Sequence, residues 1–418
     1  MTTPPDRLER RLGLGDAVVI GLGSMLGAGV FAAFAPAAAA AGSGLLLALA
    51  GAAVVAFCNA TSSARLAARY PASGGTYVYG RRRLGDFWGF LAGWGFVVGK
   101  TASCAAMALT VGTYVWPAAA RPVAVVAVLA LTALNWFGVH RSAVATRVIV
   151  VVVLCVLAVV VASAAAGGRV ATPHLLPGHR SHGGVRGLLQ AAAFLFFAFA
   201  GYARIATLGE EVRRPSVTIP RAIQIALAST LAVYGAVALA VLAVLGPGRL
   251  AASTAPLAEA VGLGPWPALE PVVRGGAAVA ATGSLLALIL GVSRTTLAMA
   301  RDGHLPSALA AVHPRHRVPH HAELAVGALV TVVVLVADVR GAIGFSSFAV
   351  LVYYAIANAS AWTLDRRASR RAVPAVGLAG CVALALALPP ASTLAGLGVL
   401  AAGALLWRVR RALEGPPT

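Results

Sequence analysis

Long apolar runs separated by short polar stretches dominate this chain. A bilayer span needs roughly 20 mostly apolar residues, and that template predicts about 12 helical spans. They fall at 14–40, 44–66, 87–115, 123–139, 144–166, 188–208, 222–245, 272–299, 322–337, 343–364, 373–388 and 391–407, the last two divided by Pro389-Pro390 alone. No separate soluble domain is expected, and the fold class is an all-α polytopic membrane protein.

The pattern falters inside the first run. Gly21-Leu22-Gly23-Ser24-Met25-Leu26-Gly27-Ala28-Gly29-Val30-Phe31 carries four glycines and a serine. Each glycine costs a helix interior about 1 kcal/mol relative to alanine, so the stretch predicts an interruption. Backbone groups freed at membrane depth must face protein or line a cavity, which makes the stretch a candidate ligand site. Five spans later, Phe194-Leu195-Phe196-Phe197-Ala198-Phe199-Ala200-Gly201-Tyr202-Ala203-Arg204 places one glycine in an aromatic run. Alone, Gly201 would read as a packing residue. Paired with the first interruption, it points to inverted repeats with a ligand between them at the midplane. The expected organisation is an N-terminus over 1–13, repeat one over 14–166, repeat two over 186–364, two additional helices over 373–407 and a tail over 408–418.

Composition agrees with a membrane class. Of 418 residues, 59% are hydrophobic and 11% charged, with a mean hydropathy of +0.85. A formal net charge of +20 would suggest nucleic acid in a soluble protein. Here the arginines lie in the short loops: about 23 fall on one side of the predicted spans, both termini included, and about 7 on the other. That asymmetry predicts two cytoplasmic termini in an inner or plasma membrane, with the lipid bilayer as partner and no nucleic acid. Cys58, Cys104, Cys155 and Cys381 all lie in apolar runs without metal or redox spacing, and read as packing residues. The polar N-terminus and the run after it carry no convincing cleavage site, so the first helix is expected to remain in the mature protein.

Several motifs in order carry a family resemblance. Leu8-Glu9-Arg10-Arg11-Leu12-Gly13-Leu14, Gly27-Ala28-Gly29-Val30-Phe31, and Tyr70-Pro71 with Gly74-Gly75-Thr76-Tyr77-Val78-Tyr79 resemble the amino acid/polyamine/organocation (APC) superfamily of transporters. Asn135-Trp136-Phe137-Gly138-Val139 with Ser142-Ala143, Glu210-Glu211-Val212-Arg213-Arg214-Pro215 with Ile219-Pro220-Arg221-Ala222-Ile223, and Met299-Ala300-Arg301-Asp302-Gly303-His304-Leu305-Pro306 are similar to its later loops, as far as about Pro319. The resemblance implies a LeuT-like fold of two inverted five-helix repeats plus two C-terminal helices, and secondary active transport of an amino acid by alternating access. It implies a substrate carboxylate on the backbone N–H groups of Ala28 and Gly29 beside Gly27, an amino group on carbonyls near Met25 and in the sixth span, and an aromatic gate at Phe197. A half-helix N-terminus suits an anion and a freed C-terminal carbonyl an ammonium, so a zwitterion fits both. The candidate binding residues are Ser24, Met25, Gly27, Ala28, Gly29, Phe197, Ala198, Phe199, Ala200, Gly201 and Thr101.

Charged positions refine the expected chemistry. A glutamate that many members carry two residues after the sixth-span glycine is Ala203 here, and the fifth span has no lysine, which leaves the coupling ion open. Lys100, the only lysine, lies inside the third span. It is either a proton-linked or substrate-adjacent switch, or a structural lysine that snorkels or pairs with carbonyls. Arg204 is expected to pair structurally with Glu210 and Glu211, and Arg294 is treated alike. Asp16, Asp86, Glu270 and Asp338 sit near span ends, so no acidic group is expected at the apolar centres. A dicationic substrate would want a buried counter-charge, which favours neutral or broad-range amino acids over cationic ones or polyamines. The elbow 70–80 reads as an interfacial turn with Tyr anchors. His174, His179, His182, His304, His313, His316, His320 and His321 lie in loops without ligand spacing, so no prosthetic group or metal is expected. An intramembrane enzyme and a passive channel are the readings from other classes.

Overall fold

The computed structural model describes residues 12–70, 74–137, 143–167, 183–206, 212–316, 318–365 and 367–414. The first apolar run is three helices in line, α1 (Leu14–Met25), α2 (Ala28–Ala32) and α3 (Phe34–Ala41). It is followed by α4 (Leu45–Arg69), α5 (Thr76–Leu84), α6 (Asp86–Val115), α7 (Ala120–Trp136) and α8 (Ala143–Ala166). The sixth run is α9 (Gly184–Phe199), a 3-10 turn over Ala200–Tyr202, and α10 (Ala203–Ala206). Then come α11 (Pro215–Ala252), α12 (Pro256–Gly262), α13 (Glu270–Arg301), α14 (His320–Val336), α15 (Val339–Trp362), α16 (Ala368–Ala387) and α17 (Pro390–Glu414). Among the described residues, eleven stretches are long and apolar enough to cross a membrane, and α14, at 17 residues, is a shorter twelfth apolar helix. No strand occurs among the described residues, and the protein is an all-α polytopic membrane protein.

Burial separates centre from rim. In α6 and α15, 78% of the apolar window is covered by protein, against 22% for the fourth span and 17% for α17. The centre is aromatic: Phe31, Phe34, Phe194, Phe196, Phe199, Tyr202, Tyr234 and Tyr354 are all fully buried. Exposed Leu and Val on α7, α8 and α17 replace the polar surface of a soluble protein. Cys58, Cys104 and Cys381 are buried free thiols, and Cys155 is an exposed one on α8.

The carboxylates near span ends tie those ends down. Asp16 accepts from Gly13 N at 3.0 Å and pairs with Arg147 of α8. Glu270 pairs with Arg274 at 2.9 Å, and Asp338 caps α15 through Gly341 N at 2.8 Å. Gly246, at φ 68 and ψ 166, interrupts α11 where the seventh predicted span ends, because a left-handed residue cannot continue the helical ladder.

The elbow departs from expectation. Gly75, at φ 57, starts the helix α5 where a turn was anticipated, and Tyr77 and Tyr79 are 3% and 1% exposed rather than interfacial. Both rings bury their apolar bodies in protein. Only Tyr70, beside Arg82, keeps a partly exposed position.

Candidate functional site

The first helix does break within its glycine-rich stretch, and the break is short. The α1 ladder ends with Leu26 N donating to Leu22 O at 2.7 Å, Gly27 leaves helical geometry at φ −101 and ψ −146, and α2 restarts at Ala28. Gly21 and Gly23 remain inside α1 and Gly29 inside α2. Their role is close approach rather than unwinding. A Cβ on Gly29 would lie 2.6 Å from Ala198 Cα, and one on Gly27 would lie 2.1 Å from Ser284 Oγ of α13.

The sixth run tightens instead of unwinding. At Ala200–Tyr202 it becomes 3-10, and a Cβ on Gly201 would lie 2.2 Å from Ser24 O. The two interruptions therefore touch through their backbones. Of the candidate residues, Ser24, Gly29, Ala198 and Gly201 meet directly, while the Ser24 hydroxyl bonds back to Ile20 O at 2.8 Å.

Carbonyls near the break are already engaged. Met25 O accepts from Gly27 N at 2.8 Å and from the Tyr234 hydroxyl of α11 at 2.5 Å. The same hydroxyl lies 3.1 Å from Ala198 O, and Tyr354 donates to Ala200 O at 3.3 Å. A phenol has one proton, so Tyr234 cannot satisfy both carbonyls at once. The two carbonyls therefore share one phenolic proton, and Met25 O keeps its bond from Gly27 N in either case. Tyr234 and Ser284 escaped the sequence reading because neither lies in a motif; only the fold brings them to the break.

Ala28 packs against Val111 and Met107 of α6 and Ala281 of α13. Lys100 and Thr101 lie further along α6 toward the arginine-rich end: Met107 is seven residues beyond Lys100, about 10 Å along the axis. Thr101 turns its hydroxyl to Val97 O at 2.8 Å, and Lys100 is 8% exposed. Phe197 is 9% exposed, whereas Phe194, Phe196 and Phe199 are fully covered. Arg204 lies on α10, its expected partners Glu210 and Glu211 fall outside the described residues, and Arg294 is an exposed residue of α13.

Beneath the contact, the arginine-rich end is closed by a polar lock. The Tyr77 hydroxyl donates to Asp302 at 2.5 Å and lies 2.8 Å from His304 Nδ1. Arg81 bridges Asp302 at 2.7 Å and Asp86 at 3.0 Å, and His304 Nε2 lies 3.3 Å from Asp86. Burial pushes the Asp86 carboxyl up, but the His304 ring and the Arg81 guanidinium outweigh it and hold Asp86 below the usual range. This joins α5, the start of α6 and the end of α13.

Comparison with known proteins places this architecture. Residues 16–384 match the amino acid permease family. An uncharacterized transporter of Mycobacterium tuberculosis is 69% identical over 409 residues, covering 97% of this chain and 92% of that protein. A branched-chain amino acid permease of Bacillus subtilis is 25% identical over 346 residues, covering 76% of this chain and 73% of its own. The human cationic amino acid transporter 4 is 28% identical over 388 residues, covering 84% of this chain and 59% of its own. With the family match spanning most of the sequence and its helices interrupted where the resemblance places them, the chain belongs to the amino acid permease family of the APC superfamily, and is an amino acid transporter.

Proposed function

We propose that this protein is a secondary active carrier that moves neutral or broad-range amino acids across the cytoplasmic membrane by alternating access, linked to protons. The observation that carries the proposal is the backbone contact between the interruptions, Gly29 against Ala198 and Gly201 against Ser24. A zwitterion entering there meets N–H groups at the start of α2 on one side and the carbonyls of Met25 and Ala198 on the other. Because the two segments are packed shut, entry requires the first span to part from the sixth, a movement suited to alternating access between two five-span repeats. Ala28, Met107, Val111 and Ala281 would meet the substrate side chain, and this small apolar lining suits a neutral one. A cationic substrate is the second reading, suggested by the human relative, a cationic amino acid transporter. The interruptions offer it no acidic side chain among the described residues.

Lys100 is the proposed proton-linked group. It is buried, and charge at that depth is costly enough that losing or gaining a proton would change its packing. The test is uptake of a panel of radiolabelled amino acids and polyamines by purified protein in liposomes, with and without a pH gradient. Saturable uptake and counterflow of neutral amino acids, enhanced by an inward proton gradient, are expected. Uptake of polyamines alone would overturn the substrate class, and Lys100→Ala with an unchanged pH profile would remove Lys100 from coupling.

A further inference from the structure

Glu323 lies on α14, within the first turn from the arginine-rich end, and belongs to none of the groups above. It is 0% exposed, and among the described residues neither carboxyl oxygen has a hydrogen-bond partner. Two contacts between α14 and α7 fix what stands opposite it. One turn deeper, a Cβ on Gly327 would come within 2.7 Å of Thr132 Oγ1, and toward the helix end the rings of His320 and Trp136 are 5.4 Å apart. These contacts run in opposite chain directions, so the helices are antiparallel and Glu323 falls at the level of Asn135. Asn135 is 1% exposed; its Nδ2 donates to Leu286 O of α13 at 3.4 Å, and its Oδ1 has no partner. Three buried acceptor oxygens are thus brought to one level without a donor among the described residues.

An ionised carboxylate in that position would be a buried charge beside a second acceptor, with no hydrogen-bond donor among the described residues to replace its lost hydration. One added proton removes the charge and supplies a donor: a Glu323 hydroxyl at the level of Asn135 can donate to its Oδ1, while Asn135 holds α13 through its amide, and one neutral carbonyl oxygen is left in place of a buried carboxylate. No ion pair to Glu323 occurs among the described residues, and Arg294 of α13 is the charge whose field reaches it. The other ionisable groups on the packed elements are His320 and His321 on α14 itself, Glu270, Arg274 and Arg301 on α13, His313, Arg315 and His316 in the segment before α14, Asp86, Lys100, Cys104 and Tyr114 on α6, and Arg121 at the far end of α7. Within the facing half of α7 there is none.

The histidines complete the arrangement. The His313 ring lies 4.8 Å from His316 and 5.4 Å from His320, and His320 lies 4.2 Å from His321. His320 Nδ1 is buried without a partner among the described residues, one turn from Glu323 on the same helix. His321 is exposed, so the cluster leads from the surface to the buried acid.

We propose that Glu323, set against Asn135 and capped by the histidine cluster, is a proton-binding site that pins α7 to α14 and opens to the arginine-rich side, separate from the interruptions. While protonated it holds the fourth, eighth and ninth spans together; ionisation places a carboxylate against Asn135 Oδ1 and loosens them.

The test uses full-length protein in detergent and in liposomes, and its first readout needs no knowledge of the substrate. Infrared spectra at neutral pH should contain a protonated-carboxyl carbonyl band that Glu323→Gln removes and Glu323→Asp shifts. Relative to Glu323→Gln, the unfolding temperature of the native protein should fall as pH rises above about 4.3, the ordinary glutamate value, and level off once the buried acid has itself ionised. Transport by Glu323→Gln should persist and lose that part of its pH dependence. An infrared spectrum showing Glu323 ionised at neutral pH would overturn the proposal, as would stabilisation by sodium in place of protons, or a folded Glu323→Gln protein without transport. Should Glu323→Gln fail to fold, pH titration of the band in the native protein and in Glu323→Asp decides the matter.

Discussion

At the residue scale, the glycines of the first run do two different things. Only Gly27 leaves helical geometry; Gly21 and Gly29 are small because a neighbouring element lies against them. What blocks a larger residue then decides the cost. A Cβ on Gly201 meets Ser24 O, a backbone atom that cannot rotate away, whereas one on Gly21 meets the Cδ1 tip of Ile205 at 2.3 Å. Gly201→Ala should therefore cost about 1–3 kcal/mol of stability and most of the transport activity. Gly21→Ala should be milder on both counts, because Ile205 can change rotamer. Thermal unfolding and uptake of the two variants side by side will distinguish them. Tyr234→Phe should cost about 1–3 kcal/mol, since it strips a donor shared by two buried carbonyls. If one of those carbonyls receives the substrate amino group, the same variant should also change apparent affinity in a binding assay, in addition to lowering stability.

At the element scale, the lock at the arginine-rich end sets an acid limit. Because Asp86 is held below its usual range, its contribution is present above the ordinary aspartate value of about 3.9 and is lost as pH falls through its lower folded value. The contacts joining α5, α6 and α13 should consequently loosen below about pH 4, seen as faster hydrogen exchange in α5. Asp86→Asn should loosen α5 already at neutral pH and flatten that acid transition. The helix α5 was legible only as a turn. Its glycines signal a change of direction, but nothing local announces that Tyr77 and Tyr79 turn inward, because Asp302, which takes the Tyr77 hydroxyl, and Tyr353, which takes the Thr76 amide at the start of α5, are more than two hundred positions away. Glu323 was passed over for the same kind of reason: it stands in the first turn of a predicted span, where a carboxylate would ordinarily reach water, and only the packing of α7 and α14 covers it.

At the scale of the whole molecule, the loop arginines predict that both ends of the chain face the same side. Fluorescent reporters active only in the cytoplasm, fused separately to each terminus, should both report there, and a reporter on one end alone would contradict the even number of spans. The twelve apolar runs, the polytopic all-α class and the position of the first interruption were set by the sequence itself. A bilayer-spanning run must be long and apolar wherever the chain goes next, and a glycine cluster weakens a helix locally. Which elements the interruptions touch, how Tyr234 and Ser284 come to the break, and what covers Glu323 depended on the tertiary structure. Those contacts join residues far apart in the chain, and burial of a polar group is a property of its neighbours in space, which no local pattern encodes.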